Sequence, residues 1–271
     1  MVKNKQQIKK VDLFIIDPQN DFCNPQGSLF VSGADEDMKR LSKFIERMIP
    51  YLNDIHVTMD CHRKVDVAHP IYWIDNKGKH PNPFTIISED DVVNGKWMTT
   101  NPIDRQRGIN YVKALKTGGR FPLCIWPYHC LIGTPGNNIY SSVMEQLMRW
   151  EDQFANVDFV TKGSNPYTEH YSALKAEVPD PSDPSTLLNE DLIIAGQQCD
   201  IILLTGEALS HCVANTVRDL VKDFGTDQME KVHLLIDTTS SVPGFEQMGQ
   251  DFLNEMTTRG MKTVKSTDFY I

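Results

Sequence analysis

Short aliphatic or β-branched runs alternate along the chain with longer stretches in which apolar residues recur at helical spacing. VDLFIID (11–17) predicts a buried strand. From about Asp35 a helix follows, with Met38, Leu41, Phe44, Ile45, Met48 and Ile49 on one face. Further strands are predicted at 55–60, 121–126, 157–161, 199–208, 232–237 and 263–265. Helices are predicted near 140–154, 210–224 and 247–258. Strands separated by helices of this length imply an α/β fold, a three-layer α/β/α arrangement around a mainly parallel sheet.

The stretch 70–119 breaks the alternation, with clustered Pro, Gly and Asn in GKHPNPFTIIS and NGKWMTTNP. It reads as an insertion after the second strand of a single domain over 1–271, covering the site or meeting a partner subunit. Neither oligomeric state nor the role of this insertion is encoded in any visible motif. Composition is ordinary for a globular chain, with 40% hydrophobic and 23% charged residues. A formal net charge of -9 argues against a surface built to neutralise nucleic-acid phosphates. The apolar run near the N-terminus ends at Asp17 and Pro18, too soon for a signal peptide or a membrane span. The six cysteines contain no CxxC pair, so neither a zinc knuckle nor a disulfide framework is expected. Together these features point to a reducing, cytoplasmic setting.

In parallel sheets ligands collect beyond the carboxyl ends of the strands. Asp17, Asp60, Trp126, Lys162 and Ala208 each fall at or just past such an end. Polar residues mark strand ends in most α/β proteins, so residue type must decide. Cys212 lies where a helix begins after the 199–208 strand, and backbone N–H groups there can stabilise a thiolate and receive an oxyanion. A lone cysteine is more often a small buried hydrophobe. Asp17 can act as a base or simply end a turn, and Lys162 can lower a thiol pKa or sit in solvent. Asp60 and His62 project to the same side of their strand. With His129 and His69 they form an N/O donor set suited to zinc or iron, or else hydrogen-bonded histidines.

Four blocks in order carry a resemblance: FIIDPQNDFCNPQGSL, VTMDCH, IWPYHCLIGTPG, and the pair VTKGSNPYTEHYSAL and LLTGEALSHCVANTV. In these blocks the chain resembles the nicotinamidase branch of the isochorismatase-like cysteine hydrolases. The resemblance implies the isochorismatase-like hydrolase fold and a catalytic triad of Asp17, Lys162 and Cys212. It implies Asp60, His62 and His129 as ligands of a divalent metal, zinc first and iron or manganese as alternatives, with His69 as the candidate fourth. It also implies a cis Glu207–Ala208 bond, an oxyanion hole from the N–H groups of Ala208 and Cys212, and Phe22 and Trp126 flanking the substrate ring.

The implied activity is hydrolysis of nicotinamide to nicotinate and ammonia through a cysteine thioester, a step in pyridine nucleotide salvage. The implied partner is a small-molecule amide, with no nucleic acid or membrane, and a homo-oligomer is compatible. Leu209-Ser210, Glu207 and the long 70–119 segment depart from the family pattern near the pocket. They leave open another carboxamide or a ureido compound, and a non-catalytic scaffold is the reading from a different class. The family's vinyl-ether hydrolases lack the cysteine, so Cys212 counts against that chemistry.

Overall fold

Every side chain of β1 (Val11–Ile16) is buried, as a strand covered on both faces requires. The computed structural model describes residues 9–224 and 226–271. After β1 come α1 (Asn20–Cys23), α2 (Ala34–Met48) and β2 (Asp54–Asp60). The next segment holds β3 (Trp73–Ile74), β4 (Ile86–Ile87), α3 (Glu89–Val93), β5 (Met98–Thr99), α4 (Arg105–Thr117) and β6 (Leu123–Cys124). Then α5 (Ser141–Glu151), β7 (Asp158–Lys162), α6 (Glu190–Gln198) and β8 (Ile201–Gly206) alternate. The chain finishes with α7 (Ala214–Phe224), β9 (Val232–Leu235), α8 (Glu246–Thr258) and β10 (Lys262–Val264).

Six strands form one sheet in the order β10-β9-β8-β1-β2-β7, with every neighbouring pair parallel. From β1 the chain steps outward to β2 and β7; from β8 it steps the opposite way to β9 and β10. Right-handed crossovers in opposite directions put their helices on opposite faces. Accordingly α2 packs on α5, while α7 packs against both α6 and α8, giving three layers. The reversal falls between β1 and β8, the crevice where open α/β sheets bind ligands.

Helix α2 shows how the sequence fixes a layer. Asp35, Glu36 and Asp37 in its first turn complement the helix dipole, while Met38, Leu41, Phe44, Ile45 and Met48 are buried. Arg47 in its last turn donates to the carbonyls of Ser266 and Phe269 at 2.5 and 2.9 Å, tying the chain's end to this face.

Residues 121–126 do not form a strand of the main sheet. Only Leu123–Cys124 pair, antiparallel, with Ile86–Ile87, and Trp126 N–H donates to the Ala68 carbonyl at 2.8 Å. Pro122 and Pro127 bracket this run and supply no N–H for a longer ladder. A second ribbon pairs β3 with β5. Gly108 of α4 faces it so closely that a Cβ would lie 2.7 Å from Thr99 and 3.2 Å from Trp73. Among the described residues no helix is long and apolar enough to cross a membrane.

Candidate active site

Asp17 follows β1 with φ 44°, a left-handed conformation unusual for a residue with a side chain. Alongside, Ile16 pairs with Gly206, where a Cβ would come within 2.0 Å of the Ile16 carbonyl oxygen, so only glycine fits. Thr58 of β2 fixes the Asp17 carboxyl: its hydroxyl donates to Oδ1 at 2.6 Å and accepts the Asp17 N–H at 3.0 Å. On β7, Lys162 pairs in register with Asp60 at the end of β2. Its buried Nζ lies 2.8 Å from Asp17 Oδ2 and 3.0 Å from Asp60 Oδ1. The same ammonium reaches the His170 carbonyl at 3.0 Å and Cys212 Sγ at 3.7 Å.

Cys212 lies in a π-helical turn, Leu209–Val213, that runs into α7. Burial pushes its thiol well above the usual range; Lys162 opposes this, and Asp17 and Asp60 add to it. Burial also raises the Asp17 carboxyl, against the opposing pull of Lys162. For Lys162 burial works against the charge, but Asp17 and Asp60 hold it well above the ordinary lysine value. The resting arrangement is a protonated thiol, a neighbouring carboxyl able to take its proton, and a fixed cation between them. Asp17, Asp60 and Cys212 present donor atoms within 4.8 Å of one another, and Lys162 already supplies the positive charge they surround.

On the other side of Lys162, donor atoms of Asp60, His62 and His129 lie within 4.8 Å of one another. His129 Nδ1 sits 2.8 Å from the Pro127 carbonyl, which can only accept, so Nε2 keeps its lone pair. His62 Nδ1 lies 3.1 Å from the buried Asp66 carboxyl, and its Nε2 lies 3.2 Å from Asp60 Oδ2. Burial disfavours a charged His62, yet Asp60 and Asp66 hold it well above the usual imidazole range, so this point of the site favours positive charge. Burial likewise acts against a charged Asp60, but Lys162, His62 and His129 keep its carboxylate ionised well below 3.8. One carboxylate and two imidazoles with anchored outer nitrogens are a donor set that fits a divalent cation.

His69 stands beside this group, its ring 5.2 Å from that of His62 and 5.5 Å from that of His129. Its Nδ1 faces the Arg63 and Lys64 carbonyls, and its buried Nε2 has no hydrogen-bond partner among the described residues. Burial, then His129 and His62, drive its pKa down to about 3, leaving a free lone pair. The tight three-residue group does not include it.

A small cavity opens onto Cys212 and Asp60, lined also by Phe22, Trp126, His129 and Ala208. Phe22 packs on the His129 ring at 5.4 Å, and Trp126 meets His211 edge-on at 5.1 Å. The Glu207–Ala208 bond is cis. Three further lining residues, Glu169, Tyr171 and His211, were not singled out from the sequence. Glu169 and Tyr171 follow Lys162 on irregular chain, where no periodicity marks them. Tyr171 accepts the Trp126 indole N–H at 3.0 Å. Glu169 is buried with Oε2 unpartnered among the described residues, and burial, with Asp66 and Asp60 adding and His62 opposing, raises it to about 7. The 70–119 segment supports this wall: Phe84 meets Trp126 edge-on at 5.9 Å, and Tyr111 OH accepts the Glu169 N–H at 3.1 Å.

The all-parallel six-stranded sheet with helices on both faces is the three-layer α/β/α architecture of the isochorismatase-like fold. No protein-family model matches the chain. It is 25% identical over 209 residues to the nicotinamidase of Saccharomyces cerevisiae, covering 75% of this chain and 78% of that relative. The solved yeast nicotinamidase superposes with TM-score 0.65 at 20% identity, over 94% of this chain and 99% of its own. A nicotinamidase/pyrazinamidase of Acinetobacter baumanii gives TM-score 0.65 at 19% identity, over 97% and 99%. An isochorismatase-like hydrolase of Alkaliphilus metalliredigens gives TM-score 0.53 at 17% identity, over 95% and 96%. The chain therefore shares the fold of these nicotinamidases and isochorismatase-like hydrolases.

Proposed function

We propose that the chain is a cysteine amidohydrolase that converts nicotinamide to nicotinate and ammonia through a thioester on Cys212. One observation carries this reading. The buried Lys162 ammonium touches Asp17, Asp60 and Cys212 at once, joining a nucleophile and its base to a metal-type donor group beside one cavity.

In this reading Asp17, oriented by Thr58, takes the thiol proton as Sγ attacks the carboxamide carbon. The C=O π pair moves to oxygen, and the N–H groups of Ala208 and Cys212 hold the oxyanion. Asp17 passes the proton to the amide nitrogen as the C–N bond breaks and ammonia leaves. It then takes a proton from water attacking the thioester and returns one to sulfur as the S–C bond breaks. Lys162 keeps Asp17 and the thiolate paired with positive charge throughout. Phe22 and Trp126 sandwich the flat ring. Asp60, His62 and His129, with His69 beside them, would hold a divalent cation, which would supply an anchor for the ring nitrogen; zinc would suit these donors, with iron or manganese as alternatives.

Ammonia release from a panel of carboxamides tests the proposal, with Cys212→Ala as the comparison. Nicotinamide should turn over fastest, and Cys212→Ala should lose activity by about 10³-fold or more. Turnover that survives in Cys212→Ala would falsify the thioester route. A second reading keeps the chemistry and changes the amide. The unpartnered Glu169 Oε2 in the cavity wall suits a substrate with additional N–H groups, such as a ureido compound, which belongs in the same panel.

A further inference from the structure

Glu207 belongs neither to the nucleophile group nor to the metal-type group, yet it is fully buried and directly precedes Ala208. Its Oε2 accepts the Ser240 N–H at 3.0 Å. Just beyond Ala208, the Leu209 N–H donates to the Ser240 carbonyl at 2.8 Å. Ser240 is thus gripped through its own N–H and C=O by the two residues that flank Ala208. The Ser240 hydroxyl donates to Asp37 Oδ2 on α2, and Asp37 Oδ1 accepts from Arg40. Two buried carboxyl groups therefore converge on one serine, and Glu207 Oε1 meets no N–H or hydroxyl group among the described residues, leaving the Asp37 carboxyl as the group that a proton on Glu207 would face.

We infer that Glu207 is a positioning residue: sharing one proton with Asp37, it clamps Ser240 and so holds the Ala208 N–H in place beside Cys212. The inference rests on the amidohydrolase reading above, in which that N–H binds the oxyanion. Two carboxyl groups this close in a dry setting cannot both ionise. Burial raises the Asp37 carboxyl too, but Ser240 and Arg40 both donate to it and oppose that rise, so of the two it is the member that ionises first. Glu207 keeps the proton: burial first, then the Asp37 charge, push it well above the usual carboxylate range.

Of the other groups nearby, Cys23 on α1 is buried, and its thiol is driven up first by burial and then by Glu207, Asp37, Asp17 and Asp35. Arg40 is the nearby cation, and its Nε is occupied by the Asp237 carbonyl. A neutral carboxyl can accept the Ser240 N–H on one oxygen and donate to Asp37 from the other. An ionised Glu207 would be repelled by Asp37, releasing Ser240 and with it the segment that carries Ala208.

Glutamine reproduces the neutral acid, with one acceptor oxygen and one donor group, and does not titrate. Ammonia release is therefore compared for wild type, Glu207→Ala and Glu207→Gln from about pH 5 to about pH 9, with Tm measured over the same range. Glu207→Ala should lose about tenfold or more in kcat with KM changed less than about threefold, the pattern of an impaired oxyanion hole. Glu207→Gln should restore kcat to within about threefold and abolish the alkaline fall in kcat expected of wild type as Glu207 ionises. Because the folded pKa of Glu207 is raised, the stability it contributes is complete below its unfolded value and drains away as pH climbs toward the folded one. The Tm of Glu207→Gln minus that of wild type should therefore grow with pH.

A pH-independent Tm difference overturns the shared proton. Wild-type kcat in Glu207→Ala, or a Glu207→Gln as slow as Glu207→Ala, overturns the positioning role. Failure of the underlying reading shows differently: wild type itself releases no ammonia, or Cys212→Ala still does.

Discussion

The two halves of the cavity meet on Lys162 but are built in different ways. In the half proposed to hold the nucleophile, Asp17 and Lys162 stand at the ends of β1 and β7, where strand register sets their spacing, and Cys212 follows β8 in the regular π-helical turn Leu209–Val213. The metal-type half takes only Asp60 from a strand end. His62, His69 and His129 lie on irregular chain, held by contacts to Asp66, to the Arg63 and Lys64 carbonyls and to the Pro127 carbonyl. A packed sheet spreads the positioning of its rim over many contacts, whereas a loop ligand depends on one or two. The nucleophile half should therefore be robust to loss of a single supporting hydrogen bond, and the metal half should not.

The largest expected effect comes from removing what the halves share. Lys162→Met leaves Asp17 and Asp60 buried without their cation, so kcat/KM should fall by about 10³-fold or more and stability by about 3–5 kcal/mol. The pH profile sharpens this. In the proposed mechanism Asp17 must be ionised to act as base, and burial raises it while Lys162 lowers it. The acidic limb of kcat/KM should thus lie above the ordinary aspartate value of 3.8 and move higher still in the lysine variant. An unmoved limb would show that the two groups are not coupled.

Removing the cation should separate the halves. Dialysis against a chelator should lower kcat/KM by about 10²-fold, since an anchor for the ring is lost, while Cys212 still reacts with iodoacetamide at close to its former rate. His129→Ala should behave like the chelated protein and carry less metal after purification. Equal loss of thiol reactivity on chelation would break the division drawn between the halves.

The sequence speaks unevenly about these halves for the same physical reason. Buried parallel strands are short apolar runs, so Val11–Ile16 and Ile201–Gly206 stand out, and their ends lead directly to Asp17 and Ala208. The apolar run at 121–126 looks the same locally, but the partner that claims it, Ile86–Ile87, lies in a segment with no periodic pattern. Helix α6 is short and gathers its apolar residues in one consecutive run, Leu192–Ala195, with no repeat at helical spacing, and its place was not legible. His62 and His129 were recognised by block resemblance; Asp66, though only four positions from His62, sits on irregular chain with no periodicity to mark it, and Glu169 reaches the cavity through tertiary contacts. Glu207 was visible only as a charge in an apolar stretch; its meaning required Asp37, 170 positions away, and Ser240.

The finest test sets one supporting residue from each half against the other. Thr58→Val removes the hydroxyl that meets both Asp17 Oδ1 and its N–H, but keeps the β-branched shape on a buried strand. Asp66→Asn keeps the shape beside His62 while removing the charge, and Asp66 Oδ1 also accepts the Ala68 N–H that helps set the loop. If strand register positions the nucleophile half, Thr58→Val should cost only about threefold to tenfold in kcat and leave metal content unchanged. If single contacts position the metal half, Asp66→Asn should weaken metal affinity by about 10–100-fold, read by competition with a chromogenic chelator, with thiol alkylation preserved. A Thr58→Val variant more damaged than Asp66→Asn would reverse the argument, making the hydroxyl rather than the sheet the element that aims Asp17.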